Sequence, residues 1–143
     1  LDFDHYYLCM VLHIIVIKNN KEILLIKRKH DPYKMKYALP GGFVDYNEDP
    51  KEGCLRELLE ETNIKAYKSK LIEVRSNPDR DPRKHIVSFI YHVEVEQDSV
   101  PEALDDAFSA QFYNIDEILK EGSKSFAFDH YEIIADYLKN IKI

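Results

Sequence analysis

Between Asp49 and Asn63 the sequence describes one helix with two faces of opposite chemistry, and that helix limits the fold more than any other segment. Asp49 stands at the N-cap, Pro50 at the first helical position and Glu52 at the third, which answers the free amide hydrogens of a helix start. Asn63 suits the left-handed residue that ends a helix after Thr62. At about 100° per residue, Cys54, Leu55, Leu58, Leu59 and Thr62 fall on one side, the expected core face. Glu57, Glu60 and Glu61 fall within about 100° of arc on the side away from the leucines. An apolar stripe of this kind has to be buried against a sheet or another helix.

The neighbouring segments supply the sheet. Leu8–Ile17 is apolar and β-branched, the polar Lys18–Lys21 follows, and Ile23–Lys27 is apolar again, which predicts an antiparallel hairpin. Residues 28–37 are basic and read as a loop. Lys70–Arg75 and His85–Val95 read as strands, with Val87, Phe89, Tyr91, Val93 and Val95 alternating on one face of the second. Residues 97–107 form an acidic loop, Ala110–Ile115 a short strand and Asp116–Glu121 a short helix. A final helix begins at Asp129–Glu132 and carries Ile133, Ile134, Tyr137, Leu138 and Ile141 at helical spacing. Strands and helices interleave without a regular βαβ alternation, so the expected class is mixed α/β with antiparallel strands.

With 143 residues there is length for a single domain, 1–143, with no room for a DNA-reading module. The net charge of −6 speaks against a general nucleic-acid or anionic-membrane binder. Leu8–Ile17 contains His13, is too short to span a bilayer and lacks a signal-peptide cleavage site. Because the chain begins with Leu1 and not Met, preceding sequence is expected. The two cysteines, Cys9 and Cys54, lack metal-ligand spacing and lie among apolar residues, so both are expected reduced and buried in a cytoplasmic protein.

Like charges three and four residues apart repel, so a helix selected for stability alone would not place Glu at 57, 60 and 61. Three carboxylates aimed at one spot suit a hard divalent cation such as Mg²⁺. Arg56 stands four residues before Glu60 and can orient it, and Glu48 can tether the loop to the helix. The competing reading of the helix alone is a solvated acidic face with an incidental ion pair. Upstream, Gly41-Gly42 concentrates two of the chain's four glycines at one place, where the backbone needs unusual dihedrals or a close neighbour.

Gly42, five residues, Glu48, seven residues and then Arg56-Glu57-Leu58-Leu59-Glu60-Glu61-Thr62-Asn63-Ile64 closely resembles the Nudix box, with Asn63 where that family usually has Gly. Tyr37–Val44 looks like the strand and turn leading into the box, with Tyr37 where Trp is frequent. Asn77-Pro78-Asp79-Arg80-Asp81-Pro82-Arg83 and Phe126-Ala127-Phe128-Asp129-His130 are similar to stretches of the ADP-ribose-pyrophosphatase-like branch. The resemblance runs from about residue 8 to residue 138.

That resemblance implies an α/β/α sandwich with a mixed, largely antiparallel sheet, hydrolysing a pyrophosphate attached to a nucleoside with Mg²⁺ or Mn²⁺. Carried onto this chain, Glu57 and Glu61 are the leading metal ligands, Glu60 is a further or water-mediated one, and Arg56 orients them. The Gly41 region adds a backbone oxygen to the metal, and Gly42 lets the backbone approach the substrate. Arg28, Arg80 and Arg83 are candidate phosphate ligands, although Asp79-Arg80-Asp81 is equally a self-neutralising turn. Tyr33 and Tyr37 can stack on a base or simply pack, and His130 reads as helix-start packing. Relatives often carry a Glu where this chain has Ser109, so Glu102, Asp105 or Asp106 is the candidate base or extra ligand.

The expected partner is a small-molecule nucleotide, most of all ADP-ribose or an ADP-sugar, with neither nucleic acid nor membrane, and a homodimer stays open. Two alternatives stand beside this reading: a nucleoside triphosphate pyrophosphohydrolase and a non-catalytic sensor of ADP-ribose-type ligands. Sensors of that kind usually carry an attached DNA-binding domain and have lost helix glutamates, whereas Glu57, Glu60 and Glu61 are all present here.

Overall fold

The computed structural model describes residues 8–141. In chain order it contains β1 (Cys9–Ile15), β2 (Ile17–Lys18), β3 (Glu22–Arg28), β4 (Tyr37–Ala38), β5 (Gly41–Phe43) and helix α1 (Pro50–Thr62). There follow β6 (Ala66–Arg75), β7 (Ile86–Val95), β8 (Ala107–Asn114), α2 (Ile115–Leu119) and α3 (His130–Ile141), with a 3₁₀ turn at Ser123–Ser125. One sheet has the order β5-β1-β7-β6, and a second joins β2, β3 and β4, with β8 also paired to β3. The pairing of β1 with β7 is parallel and all other strand pairs are antiparallel.

The sheets lie between two helical layers because alternate side chains of a strand point to opposite faces. Leu12, Ile14 and Val16 join Leu24, Tyr91, Val93 and Val95 in a cluster with Cys54 and Leu58 of α1. Ile15, Ile23, Leu25 and Ile90 face the other way, against Ile115, Ile118, Ile133 and Ile134 of α2 and α3. This is the expected α/β/α sandwich with a largely antiparallel mixed sheet. Among the described residues no helix is long and apolar enough to cross a membrane.

Three expectations need correction. The long first hairpin is much shorter: only Ile17–Lys18 pairs with β3, across Asn19 and Asn20 at φ 52° and 56°. Two consecutive left-handed residues make a turn whose twist suits a tight hairpin. Cys9–Ile15 instead runs parallel to Ile86–His92, so the chain changes sheets at Val16. Second, Leu59 is 45% exposed and Leu55 half-buried, while Glu61 is only 6% exposed. The core face of α1 is Gly53, Cys54, Leu58, Glu61 and Thr62, which places one carboxylate on the buried side. Third, Cys54 is buried as expected but Cys9 is only partly so. Smaller shifts extend the strand at Lys70 back to Ala66 and the strand at Ala110 back to Ala107. Strand β4 closes the presumed loop at Tyr37, and both faces of β7 are covered.

Candidate active site

The helix with the glutamates is fixed at both ends by its own sequence. Asp49 is extended (φ −67°, ψ 126°) and accepts the Lys51 amide, and Asn63 is left-handed at φ 58° with its amide on the Leu59 carbonyl. Between these caps, Arg56 gathers four carboxylates. Its Nε and Nη2 donate to both Glu48 oxygens at 2.5 and 2.8 Å, and Nη1 donates to Glu57 at 2.8 Å and to Glu60 at 3.0 Å. Asp45 lies 3.4 Å from the same guanidinium. Glu48 is held down at about 2 by the Arg56 hydrogen bonds.

Among the described residues no arginine hydrogen-bonds to Glu61, and the Arg28 charge offsets its burial only in small part. Its Oε1 accepts the Gly41 amide at 3.0 Å, and burial pushes its carboxyl up to about 8. Burial also raises Glu57, against the opposing pull of Arg56. Among the described residues no three His, Cys, Asp or Glu side chains already converge on one point. The donor set is two desolvated carboxylates one helical turn apart, and Mg²⁺, which keeps most of its waters, is commonly held by one or two.

The double glycine owes its place to close approach and not to dihedral freedom, since Gly122 is the positive-φ glycine among the described residues. A Cβ on Gly41 would stand 1.8 Å from the Leu12 carbonyl oxygen, and one on Gly42 would stand 2.4 Å from Glu57 Oε2. Gly53 packs similarly against Glu48, a requirement the sequence reading did not identify. The two neighbours differ in compliance, backbone for Gly41 and side chain for Gly42. Gly41→Ala is therefore expected to lower unfolding stability by about 3 kcal/mol or more. Gly42→Ala is expected to melt within a few degrees of the parent while losing turnover, because the Glu57 carboxylate moves and the strand does not. Thermal melts and initial rates of the two variants check this, and equal melting temperatures would refute it.

A cleft of about 290 Å³ opens beside the glycines and contains Arg28, Gly41, Gly42, Glu61, Arg80, Arg83 and Asp106 in its wall. Seven of the expected site residues are thus brought together. Arg56, Glu57 and Glu60 are outside that wall on α1, with Glu57 against Gly42 and Arg56 donating to the Phe43 carbonyl. Tyr37 is elsewhere: its ring packs edge-on against Tyr113 at 5.2 Å and against Phe126 at 5.5 Å. Tyr33 packs against Phe128 at 4.7 Å. Glu102 accepts from Asn63 at the end of α1, Asp105 is left-handed at φ 48°, and Asp106 faces His30 at 3.7 Å. Of the three acidic-loop candidates, Asp106 is the one in the cleft wall.

Arg80 is in the wall with every donor engaged. Its Nε and Nη2 make a fork onto both Asp129 oxygens at 2.6 and 3.0 Å. The remaining N–H groups reach the Arg75 and Ile86 carbonyls and Ser88 Oγ at 3.0 to 3.2 Å. A guanidinium has five N–H donors, and these contacts use them all. The Asn77–Arg83 turn and the Phe126–His130 segment are therefore one mechanical unit.

His130 packs at the start of α3 as expected, and a second histidine lies against it. His130 is buried and His13 partly so, with ring centroids 4.4 Å apart, in the wall of the cleft. His130 Nδ1 accepts the Leu39 amide at 3.0 Å, so its proton sits on Nε2. Burial, then Arg28 and Arg80, holds His130 down at about 3, and burial likewise lowers His13. Both rings are neutral, giving the cleft a polar but uncharged base. A histidine in an apolar strand carries no sequence signal for this, but the Phe126–His130 resemblance did mark His130.

Comparison with known proteins agrees with this geometry. The sequence model of the NUDIX domain matches residues 10–137. An ADP-ribose pyrophosphatase of Methanocaldococcus jannaschii is 41% identical over 124 residues, covering 87% of this chain and 70% of that protein. The ADPR responsive transcriptional repressor NtrR of Acinetobacter baylyi is 31% identical over 115 residues, 79% of this chain and 45% of the repressor. A bifunctional NMN adenylyltransferase/ADP ribose pyrophosphatase of Francisella tularensis, solved with AMP and a manganese ion, superposes with a TM-score of 0.81 at 30% identity. That superposition covers 94% of this chain and 42% of the Francisella chain, so this chain spans less than half of the last two proteins. With residues 10–137 matched and a glutamate helix set against a double-glycine strand, the chain belongs to the NUDIX domain family of pyrophosphohydrolases.

Proposed function

We propose that this chain hydrolyses the pyrophosphate of ADP-ribose or a close ADP-sugar, with a divalent cation, Mg²⁺ or Mn²⁺, held by Glu57 and Glu61. The observation that carries the reading is Glu61: a carboxyl 6% exposed, with no arginine bonded to it among the described residues and raised to about 8, lacks the counter-charge a cation would bring. A bound divalent cation supplies Lewis-acid neutralisation of the charge that develops on the phosphates. Arg56 holds Glu57 beside Gly42 and keeps Glu60, 46% exposed, on the solvent side, where it would serve a bound cation through water. The Gly41 amide aims Glu61, and the absent Cβ at Gly42 leaves the Glu57 carboxylate its place. Asp106 is the general-base candidate, and Arg28 and Arg83 are the phosphate ligands.

The substrate follows from similarity to the Methanocaldococcus pyrophosphatase and from the modest cationic supply of the cleft, where Asp81 already pairs with Arg83. Similarity to the Acinetobacter repressor favours a second reading, a sensor that binds ADP-ribose without cleaving it. One experiment separates these readings: kcat/KM for ADP-ribose, ATP and 8-oxo-dGTP with the same cation. ADP-ribose is expected to lead by at least about tenfold, or about 1.4 kcal/mol in transition-state binding. A tenfold lead for a triphosphate overturns the substrate, and tight binding with no turnover establishes the sensor.

A further inference from the structure

Phe128 has φ 49°, a left-handed backbone that a bulky aromatic residue adopts only when its surroundings impose it. On its N-terminal side the Ala127 amide is tied to the Tyr37 carbonyl at 2.8 Å. On its C-terminal side Asp129 is locked by the Arg80 fork. The ring so presented lies in the cleft wall, with the Arg28 guanidinium 5.1 Å and the Arg83 guanidinium 5.4 Å from its centroid. Two cations on one ring repel each other, and Arg83, after burial, depresses Arg28. Attraction to the aromatic ring offsets part of that repulsion.

The donors left over face the cleft. Arg28 uses only Nε, on the Pro32 carbonyl at 2.7 Å, so among the described residues its terminal amino groups have no partner. Arg83 gives Nε and Nη2 to Asp81. Lys29, Arg80, Asp81, Asp106 and Glu61 line the same cleft, but Arg80 is committed to Asp129, so Arg28 and Arg83 are the two guanidiniums there with donors to spare.

We propose that Phe128 determines substrate affinity: its ring holds Arg28 and Arg83 together as a clamp for a diphosphate, and Arg80, through Asp129, is a positioning residue and not a phosphate ligand. This rests on the pyrophosphohydrolase reading of the cleft. It gives the strained aromatic and the two late motifs one task, and moves Arg80 from the ligands to the support.

Calorimetric titration with inorganic pyrophosphate, in EDTA, tests the clamp whatever the chain hydrolyses. Phe128→Leu, which keeps apolar bulk without a ring, is expected to weaken pyrophosphate binding by about tenfold. Phe128→Tyr keeps the ring and is expected to bind within about twofold of the parent. Phe128→Gly adopts the left-handed backbone without strain, so it is expected to melt no lower than Phe128→Leu while binding as weakly. Arg80→Lys is expected to weaken binding in the same direction. With ADP-ribose, Phe128→Leu and Arg80→Lys are expected to raise KM at nearly constant kcat. Unchanged pyrophosphate affinity in Phe128→Leu or Phe128→Gly overturns the clamp, whereas failure of the parent to cleave ADP-ribose overturns only the substrate reading.

Discussion

Replacing Glu57 or Glu61 by Gln is expected to lower pyrophosphohydrolase turnover, measured on the proposed substrate ADP-ribose, by about a hundredfold or more while the protein stays folded. Each change removes the charge of a proposed metal ligand and keeps the shape. In Glu61→Gln the side-chain amide still offers an oxygen to the Gly41 N–H, which Glu61 now accepts at 3.0 Å. The two variants differ in what they do to the metal-free protein. Glu61 rises from 4.5 to about 8 on folding, so its contribution to stability is complete below about pH 4.5 and lost as pH rises through 8. Each pH unit in that window amounts to about 1.4 kcal/mol for one proton. In EDTA, Glu61→Gln and the parent are therefore expected to melt together near pH 4.5, and the variant to melt higher at pH 8. His130, whose own acid-side loss runs from about 6.5 to 3, is common to both proteins and cancels in the comparison. Near-full turnover in both variants would sink the carboxylate argument, and a pH-independent difference in melting would sink the buried-charge argument.

The second large effect is expected at Arg56. Arg56→Ala leaves Glu48, Glu57, Glu60 and Asp45 facing one another without a cation. Breaking a buried pair costs about 3–5 kcal/mol, and because Arg56 is 26% exposed the expected loss is smaller, about 2–3 kcal/mol. Turnover should fall with it, since Glu57 loses its orienting partner. Arg56→Lys is not expected to rescue either property, because an ammonium cannot bond both oxygens of Glu48 and reach Glu57 and Glu60 as well. Glu48 supplies the pH test. Arg56 holds it at about 2 against 4.5, so its stability contribution exists above pH 4.5 and is lost toward pH 2. The gap between parent and Arg56→Ala in denaturant melts should thus narrow below about pH 4.5. A gap of less than about 0.5 kcal/mol at pH 7 would mean a solvated cluster of the kind common on surfaces.

Local chemistry made both ends of α1 readable. Its N-cap, first-turn proline and left-handed Asn63 each act within one turn, and the observed limits, Pro50–Thr62, are those the sequence predicts. The spacing of Arg56 from Glu60 predicted their pair for the same reason, the partners lying one turn apart, and the expected tether at Glu48 is made to Arg56 itself. Hydrophobic alternation likewise found β7, but it reports which face a side chain takes and not which strand lies alongside. That is why Cys9–Ile15 was expected beside Ile23–Lys27 and lies beside Ile86–His92.

By itself, then, the sequence determined the limits of the helix, its clustered glutamates and the Arg56–Glu60 pair and, through the box they form, the sandwich class and the family. Tertiary structure alone decided the rest of the site. Glu61 became the buried member of its set because the sheet covers that side of α1, and desolvation is a property of the whole surroundings. Arg80 became part of the wall because Asp129, 49 residues away, takes its fork. Tyr37 went to Tyr113 and Phe126, and Phe128 came to the cleft in a strained backbone that no local preference selects. Local signals act over a turn of chain, whereas burial, charge pairing and strain depend on neighbours that only the closed fold brings together.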